Sequence, residues 1–329
     1  MMLCVIALQL TIGIHSKKSI NMYPNLGYCC INLELQATKK ITTNRTMVRK
    51  TFDAKGIKYA SELALQNVKD LVEIIKWNES KGIKLYRMSS DMFPWMSDYE
   101  LSDLPDFEKI SNVLRGAGSL ALKYGQRLTF HPGPYNVLAS PNESVVTKAI
   151  KDLRQHGEIM DLLGFQRNQY SAINIHIGGT YGDKKTTMER FCANFKRLPE
   201  CASSRLVVEN DDKDSMYSVE DLYNGIYMHI GTPITFDYLH HACNPGNLSE
   251  EEAIKLASKT WGMVPQLTHY SSSKKLYEDS SVVIRAHADY LYEEIKCYNL
   301  LIDIEIEAKA KEKALLKYLK DFDKQIMFS

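Results

Sequence analysis

Short apolar runs alternate with amphipathic segments along most of this 329-residue chain. Most of the runs end in polar or charged side chains, which is typical of buried parallel strands that lead into loops. They read LGYCCINLEL, IKLYRMSS, RLTFH, SAINIHIGG, RLVVEND, PITFDYLHH, MVPQLTHY and LLIDIEI. The first of these predicts a strand over about Leu26–Leu35.

The segments between the runs place apolar residues three and four apart, which predicts amphipathic helices. The clearest helix is predicted over about Ala60–Lys81, where Gly82 ends it. Further helices are predicted over about 107–124, 141–163, 184–198, 218–229 and 250–259, in the second half of IRAHADYLYEEIK, and over AKAKEKALLKYLK. Strands that alternate with helices in this way favour one α/β domain, a (β/α)8 TIM barrel, over an open sheet.

Composition is that of an ordinary globular protein, with 44% hydrophobic residues, 25% charged residues and a net charge of +1. The apolar start, MMLCVIALQLTIGIH, lacks the basic region and the cleavage site of a signal peptide and is too short to span a bilayer. Residues 1–21 are therefore interpreted as an extension outside the fold, and residues 22–329 as the barrel domain. The seven cysteines show no CxxC spacing, which favours reduced thiols in an intracellular protein.

Residues of metal-ligand type lie at or just beyond the predicted strand ends. They are His131, His176, Glu209, Asp237, His240, His269, His287 and Glu307. Because the C-terminal ends of barrel strands meet at one mouth, we expect these dispersed residues to converge there. Histidine and carboxylate without thiolate suit two or three divalent ions, of which Mn²⁺, Mg²⁺, Zn²⁺ and Co²⁺ are candidates. Any one of these histidines alone is equally well explained as a buried core residue.

Glu209 is the best candidate for a carboxylate that bridges two ions, because it follows the apolar run LVV directly. Metal ions held in this way suit phosphodiester hydrolysis. Catalytic roles are assigned to His131, Glu209, Asp237 and Glu307. The same ligands also suit a sugar isomerase or epimerase, so the metal-ligand pattern alone leaves both activities open.

Ten segments in order along the chain match one family. They are TTNRT, YRMSSDMFPW, RLTFHPGPY, ASPNE, INIHIGGT, RLVVENDD, FDYLHH, THYSSS, RAHADY and IEIEAKAKE. In these segments the chain resembles the ultraviolet-damage endonucleases, a DNA repair family whose TIM barrel is related to endonuclease IV. The resemblance implies a manganese-dependent enzyme that nicks damaged double-stranded DNA 5′ to pyrimidine dimers and (6-4) photoproducts, and often at abasic sites.

The resemblance also implies how the ligands divide among three ions. His131, His176 and Glu209 would hold the first ion; Glu209, Asp237, His269 and Glu307 the second; and His240 and His287 the third. Basic and polar loops at the mouth are expected to contact the DNA backbone. The candidates are Asn44, Arg45, Lys274 and Arg285, followed by Arg87, Lys184, Lys185 and Lys275. A monomer without a membrane partner is expected.

Three positions depart from the pattern of the family that the chain resembles. Pro134 stands where the family has a Gln beside Tyr135, the pair that probes the DNA stack at a lesion. Asp98 replaces a His and is retained as a weaker metal-ligand candidate, and Leu267 replaces a Lys that can be carbamylated. These departures motivate a second hypothesis, a damage-binding homologue with weak catalysis.

Overall fold

Eight parallel strands form a closed barrel in the computed structural model, which describes residues 24–322. In order around the barrel the strands are β1 Asn25–Cys29, β2 Leu85–Met88, β3 Arg127–Phe130, β4 Ile173–Ile175, β5 Leu206–Glu209, β6 Ile234–Asp237, β7 Gln266–Tyr270 and β8 Ile302–Ile306. β8 pairs with β1 and closes the barrel. The predicted TIM barrel is confirmed, whereas the predicted extension, residues 1–21, lies outside the described residues.

Helices follow the strands and surround the barrel. They are α1 Leu33–Lys39, α2 Arg49–Ser80, α3 Phe107–Lys123, α4 Glu143–Leu162, α5 Lys184–Phe195, α6 Glu200–Ser203, α7 Val219–Leu222, α8 Met228–Ile230, α9 Tyr238–Cys243, α10 Glu250–Ser258, α11 Lys274–Tyr277 and α12 Glu312–Asp321. A π-helical stretch, Tyr223–Tyr227, joins α7 to α8. The backbone of α2 breaks at Gly56, whose φ is 64°. Between residues 24 and 322, no helix is both long enough and apolar enough to cross a membrane.

Apolar side chains pack in two separate places. The larger core lies between the strands and the helices, where Phe130 and Phe236 belong to the same cluster as Ile74 and Leu114. A smaller cluster comprises Leu85, Ala172, Val207, Trp261 and Leu267. Side chains two positions apart on a strand point to the same face. Val207 and Glu209 on β5, and Leu267 and His269 on β7, therefore point into the barrel interior together. The apolar cluster therefore lies beneath the mouth residues.

The N-terminal end of the barrel is closed by a buried ion pair. The Arg127 guanidinium lies 2.9 Å from Asp303 Oδ2, and both side chains are almost completely inaccessible to solvent. Arg127 also donates hydrogen bonds to the backbone oxygens of Gln169, Tyr170 and Pro265. All of these partners belong to the barrel itself, so the charge of Arg127 is paired within the fold.

The first predicted strand is too long. The extended backbone ends at Cys29, and the NLEL segment enters α1 instead. Asn32 caps this helix, because its side-chain oxygen accepts a hydrogen bond from Leu35 N at 2.8 Å. The polar cap outweighs the apolar pattern that predicted a strand to Leu35.

The helix predicted in the second half of IRAHADYLYEEIK is wrong, since residues 285–301 have no helical structure. Leu291 and Ile295 are four residues apart and both buried, as a helix would place them. Tertiary contacts hold this backbone instead: Ala288 N donates to Ser272 O, and Ile295 N donates to the Tyr318 hydroxyl. The spacing of the buried residues therefore belongs to an irregular, non-helical segment that is anchored at two points.

A candidate metal centre at the barrel mouth

The strand ends bring the predicted ligands together. Glu209 and Asp237 are the last residues of β5 and β6, and His269 lies within β7. His131, His176 and Glu307 directly follow β3, β4 and β8. His240 belongs to α9 rather than to the strand that was predicted there, and Asp237 caps this helix by accepting from His240 N at 2.7 Å.

Glu209 lies at the centre of this arrangement and is almost completely buried. Its Oε2 lies 3.1 Å from His131 Nε2 and 3.1 Å from His269 Nδ1. The same oxygen lies 3.7 Å from His176 Nε2, and Oε1 lies 3.2 Å from His240 Nδ1. One carboxylate is therefore contacted by four imidazoles.

Three groups of side chains place their ligand atoms within 4.8 Å of one another. They are His131, Glu209 and His269; His176, Glu209 and His240; and Asp237, His269 and Glu307. Glu209 and His269 each belong to two groups. His287 lies at the edge, where its Nδ1 is 3.5 Å from Glu307 Oε2 and 3.0 Å from the backbone oxygen of the same residue.

Buried polar atoms at the mouth support a metal-binding role. Within residues 24–322, Asp237 Oδ2 has no hydrogen-bond partner although it is inaccessible to solvent, and the buried His269 Nδ1 faces carboxylate oxygens of Glu209 at 3.1 Å and Glu307 at 3.4 Å. Leaving such an atom without a partner costs about 1–3 kcal/mol. A divalent cation that accepts both lone pairs would remove this cost, so the residues present fit a metal ion.

The pKa values at the mouth show strong coupling between acids and imidazoles. Burial alone would raise the pKa of Glu209, but the neighbouring His269 and His176 outweigh it and hold the pKa well below its usual range. Burial would lower the pKa of His240, but Asp237 and Glu209 raise it to about 11. Burial lowers the pKa of His131 despite its contact with Glu209. In the metal-free protein the carboxylates therefore favour a proton on His240, whereas burial opposes one on His131.

Three residues that orient the ligands were not predicted in that role. Asn174 donates a hydrogen bond to Glu209 Oε2, and Asp211 Oδ1 lies 3.0 Å from His176 Nδ1. Arg87, which was predicted to contact DNA, forms an ion pair with Glu307. Asn174 is two residues before His176 on the same face of its strand, and this period-two pattern was the available signal.

An open cleft of about 580 Å³ leads from the solvent to these ligands. His131, His176, His240 and Glu307 line its base, and Pro134 lies on its wall. Tyr135 is 88% exposed beside it, on the loop that follows His131. The structure therefore places an exposed aromatic ring at the entrance of the candidate metal centre.

Most residues predicted to contact the DNA backbone have acidic partners. Arg45 Nη1 lies 2.7 Å from Asp70, and Arg45 also donates to the backbone oxygens of Thr42 and Lys40. Lys274 Nζ lies 3.3 Å from Asp289, and Arg285 Nε lies 3.1 Å from Asp212. The Asn44 side chain is half-buried and accepts a hydrogen bond from Thr42. These side chains therefore shape the surrounding loops.

Asp98 and Leu267 do not join the metal-ligand groups. Asp98 lies in a short 3-10 turn, Met96–Asp98, and pairs with Arg49, whose guanidinium stacks 5.3 Å from the ring of Trp95. Leu267 is completely buried in the small apolar cluster of the barrel interior. The weaker ligand candidate Asp98 is thus held apart from the three groups by its arginine partner.

The family model described as UV-endonuclease UvdE matches residues 24–327. The chain belongs to this family. A UV-damage endonuclease of Schizosaccharomyces pombe is 36% identical over 318 residues, which cover 94% of this chain and 52% of the relative. The chain thus spans about half the length of that relative.

Solved structures agree with the family assignment. The crystal structure of SacUVDE superposes with a TM-score of 0.79 at 28% identity, over 92% of this chain and 100% of that chain. A D-psicose 3-epimerase from Clostridium cellulolyticum H10 reaches a TM-score of 0.50 at 13% identity, over 72% of this chain and 78% of the epimerase. The second likeness shows a shared barrel fold alone. The resemblance predicted from the sequence motifs is therefore confirmed at the level of the UvdE family.

Proposed function

We propose that this protein is a metal-dependent DNA repair endonuclease, which nicks double-stranded DNA 5′ to ultraviolet photoproducts and at abasic sites. The observation that carries the proposal is the buried Glu209 carboxylate, contacted by four imidazoles at the mouth of a barrel of the UvdE family. A relative named UV-damage endonuclease supports the class of substrate.

Two of the ligand groups share no residue and can therefore hold two ions at once. One consists of His176, Glu209 and His240, and the other of Asp237, His269 and Glu307. His131 faces Glu209 between them. This division differs from the one that the motifs implied. A third ion on His240 and His287 is the weaker proposal, because His240 already lies 3.2 Å from Glu209.

Divalent ions, with Mn²⁺ the expected one, would supply the Lewis acidity and the activated water that phosphodiester hydrolysis needs. Glu209 presents Oε1 to His240 and Oε2 to His269, so its carboxylate contacts one histidine of each of these two groups. Arg87 orients Glu307 through their ion pair and offsets negative charge at the mouth. Asn174 holds Glu209 from below through a hydrogen bond to Oε2.

Lesion recognition is assigned to the loop of Pro134 and Tyr135. An aromatic wedge enters the base stack at a cost that is smallest where damage has already weakened the stack. Tyr135 has the exposure that this role needs. Pro134 has no backbone N–H to donate, so selectivity at this position rests on shape and stacking.

Incision of an end-labelled duplex that carries one pyrimidine dimer tests the proposal. Purified protein with Mn²⁺ is expected to nick the damaged strand on the 5′ side of the dimer and to leave the undamaged duplex intact. Glu209→Gln should keep DNA binding and lose the nick. Glu200→Gln is the matched control, because Glu200 is exposed and pairs with Arg167.

The absence of any nick with Mn²⁺, Mg²⁺, Zn²⁺ and Co²⁺, together with retained binding to the damaged duplex, would favour the damage-binding homologue instead. Asp98, Pro134 and Leu267 motivate that second candidate. The enzyme is the better supported candidate because none of these three positions removes a member of the three ligand groups.

A further inference from the structure

β8 carries acidic residues at alternate positions, and the middle one is Glu305. Asp303 pairs with Arg127 at the closed end of the barrel, and Glu307 lies at the mouth. Glu305 lies between them with no exposed surface, opposite His269 in the pairing of β7 with β8. It belongs to none of the three ligand groups. Its buried carboxylate therefore needs another explanation.

The partners of Glu305 point to His269. Glu305 Oε2 lies 3.1 Å from His269 Nε2, and Oε1 accepts a hydrogen bond from the Thr129 hydroxyl. Arg87 Nη1 lies 3.6 Å from Oε2. The other ring nitrogen, His269 Nδ1, faces the mouth, 3.1 Å from Glu209 and 3.4 Å from Glu307. The His269 ring therefore connects the inner carboxylate to the ligand groups.

This placement matters because a neutral imidazole carries its hydrogen on only one nitrogen, and that nitrogen cannot bind a metal ion. A carboxylate beside Nε2 keeps the hydrogen there and leaves the lone pair of Nδ1 directed at the mouth. His269 is completely buried, so protein groups must fix its tautomer.

We propose that Glu305 is a positioning residue, which fixes the tautomer and the ring orientation of His269 so that Nδ1 can bind a divalent ion. This inference rests on the proposed function, because it concerns the same metal centre. Removal of such a partner typically weakens metal binding by about 10- to 100-fold. Glu305→Gln keeps the shape of the side chain, but its amide lacks the negative charge and can itself donate to Nε2.

The test compares Glu305→Gln with Asp303→Asn, a matched change of a buried acid two residues earlier on the same strand. Asp303 pairs with Arg127 and makes no contact with His269 among its described partners. Mn²⁺ affinity is measured by calorimetry, and the rise in Tm caused by Mn²⁺ is measured by thermal unfolding. Cleavage of the dimer duplex is followed as Mn²⁺ is raised.

We expect Glu305→Gln to weaken Mn²⁺ binding by about 10- to 100-fold, to shrink the metal-induced rise in Tm, and to recover cleavage at high Mn²⁺. Asp303→Asn should lower the Tm of the metal-free protein and keep the Mn²⁺ affinity of the wild type. Unchanged Mn²⁺ affinity in Glu305→Gln, with only a lower Tm, would overturn the inference.

Two further outcomes distinguish a failure of the proposed function from a failure of the role of Glu305. If the wild type binds no Mn²⁺, the proposed function fails, whereas a wild type that binds Mn²⁺ no better than Glu305→Gln contradicts the role of Glu305 alone. Thr129→Val decides the question if Glu305→Gln does not fold, because it removes the hydrogen bond that holds Glu305 Oε1. Weaker Mn²⁺ binding by Thr129→Val supports the inference, and unchanged affinity contradicts it.

Discussion

Both ends of the barrel bury charged side chains, but the partners of these side chains differ. At the N-terminal end, Arg127 meets Asp303 and three backbone oxygens, so its charge is fully partnered within the fold. At the mouth, Glu209 is surrounded by imidazoles, three groups of ligand-type atoms lie within 4.8 Å of one another, and Asp237 Oδ2 has no hydrogen-bond partner among the described residues. Burial of charge alone therefore does not mark a functional site, whereas the convergence of several imidazoles and carboxylates does.

The largest expected effect is a loss of cleavage caused by a change at the mouth that leaves the protein folded. Glu209→Gln should lower cleavage by roughly 1,000-fold, the equivalent of about 4 kcal/mol of transition-state stabilisation. The thermal stability of the metal-free protein should fall less than for a change at the closed end, because the imidazoles around Glu209, unlike an arginine, can lose their protons when its charge is removed. Single-turnover cleavage and thermal unfolding measure the two quantities. A large fall in metal-free stability would mean that Glu209 is structural, like Arg127.

The converse change removes the buried ion pair of Arg127 and Asp303 at the N-terminal end of the barrel. Arg127→Met leaves the Asp303 carboxylate buried without its cationic partner, which should lower the free energy of unfolding by about 3–5 kcal/mol. Mn²⁺ affinity of the folded protein should match the wild type. Denaturant unfolding gives the first quantity and calorimetry the second. Arg127→Met combined with Asp303→Leu should recover most of the stability, and failure to do so would show that the carboxylate is not the cause.

A change at the cleft entrance separates recognition from chemistry. Tyr135→Ala should weaken binding to a dimer duplex by about 5- to 150-fold, since stacking of one base on an aromatic ring is worth about 1–3 kcal/mol. Tyr135→Phe keeps the ring and should bind like the wild type. Binding of damaged and undamaged duplexes at fixed salt is the measurement. An equal loss on both duplexes would contradict a role in lesion recognition.

The smallest expected effect is the release of protons when Mn²⁺ binds. The pKa of His240 is raised to about 11 from an ordinary value of 6.5, so its contribution to metal-free stability is complete below pH 6.5 and is lost as the pH rises towards 11. Metal ions need the neutral imidazole, so Mn²⁺ binding at neutral pH should release protons and tighten as the pH rises. Calorimetry in buffers of different ionisation enthalpy measures the release. Binding without proton release would contradict the protonated state of the free site.

The sequence predicted the barrel well because each strand is a short apolar run with a polar end. The apolar pattern did not show that NLEL enters a helix, since the decisive contact is the cap at Asn32, nor that residues 285–301 form no helix, since distant partners such as Ser272 and Tyr318 hold them. Local pattern gives the element, and individual hydrogen bonds, local at Asn32 and long-range in 285–301, decide where it ends.

For the candidate site, the sequence showed which ligand-type residues lie at strand ends, but it did not show which side chains contact them. The DNA contact predicted for Arg87 stays a prediction, and its ion pair with Glu307, 220 residues away, could not be predicted from the sequence. Glu305 was overlooked, although Asp303, Glu305 and Glu307 alternate along one strand. Period-two acids on the last strand of a barrel point to its interior, and the pairing of β7 with β8 is needed to see which ligand they meet.

The central claim is that the mouth is a divalent metal centre for cleavage of damaged DNA. The most direct test strips the protein of metal, titrates it with Mn²⁺, and follows bound Mn²⁺ and nicking of a dimer duplex in the same samples. The account predicts two ions bound per chain and incision 5′ to the dimer that rises with their occupancy. Uptake of no Mn²⁺, or full nicking by the metal-free protein, would contradict it.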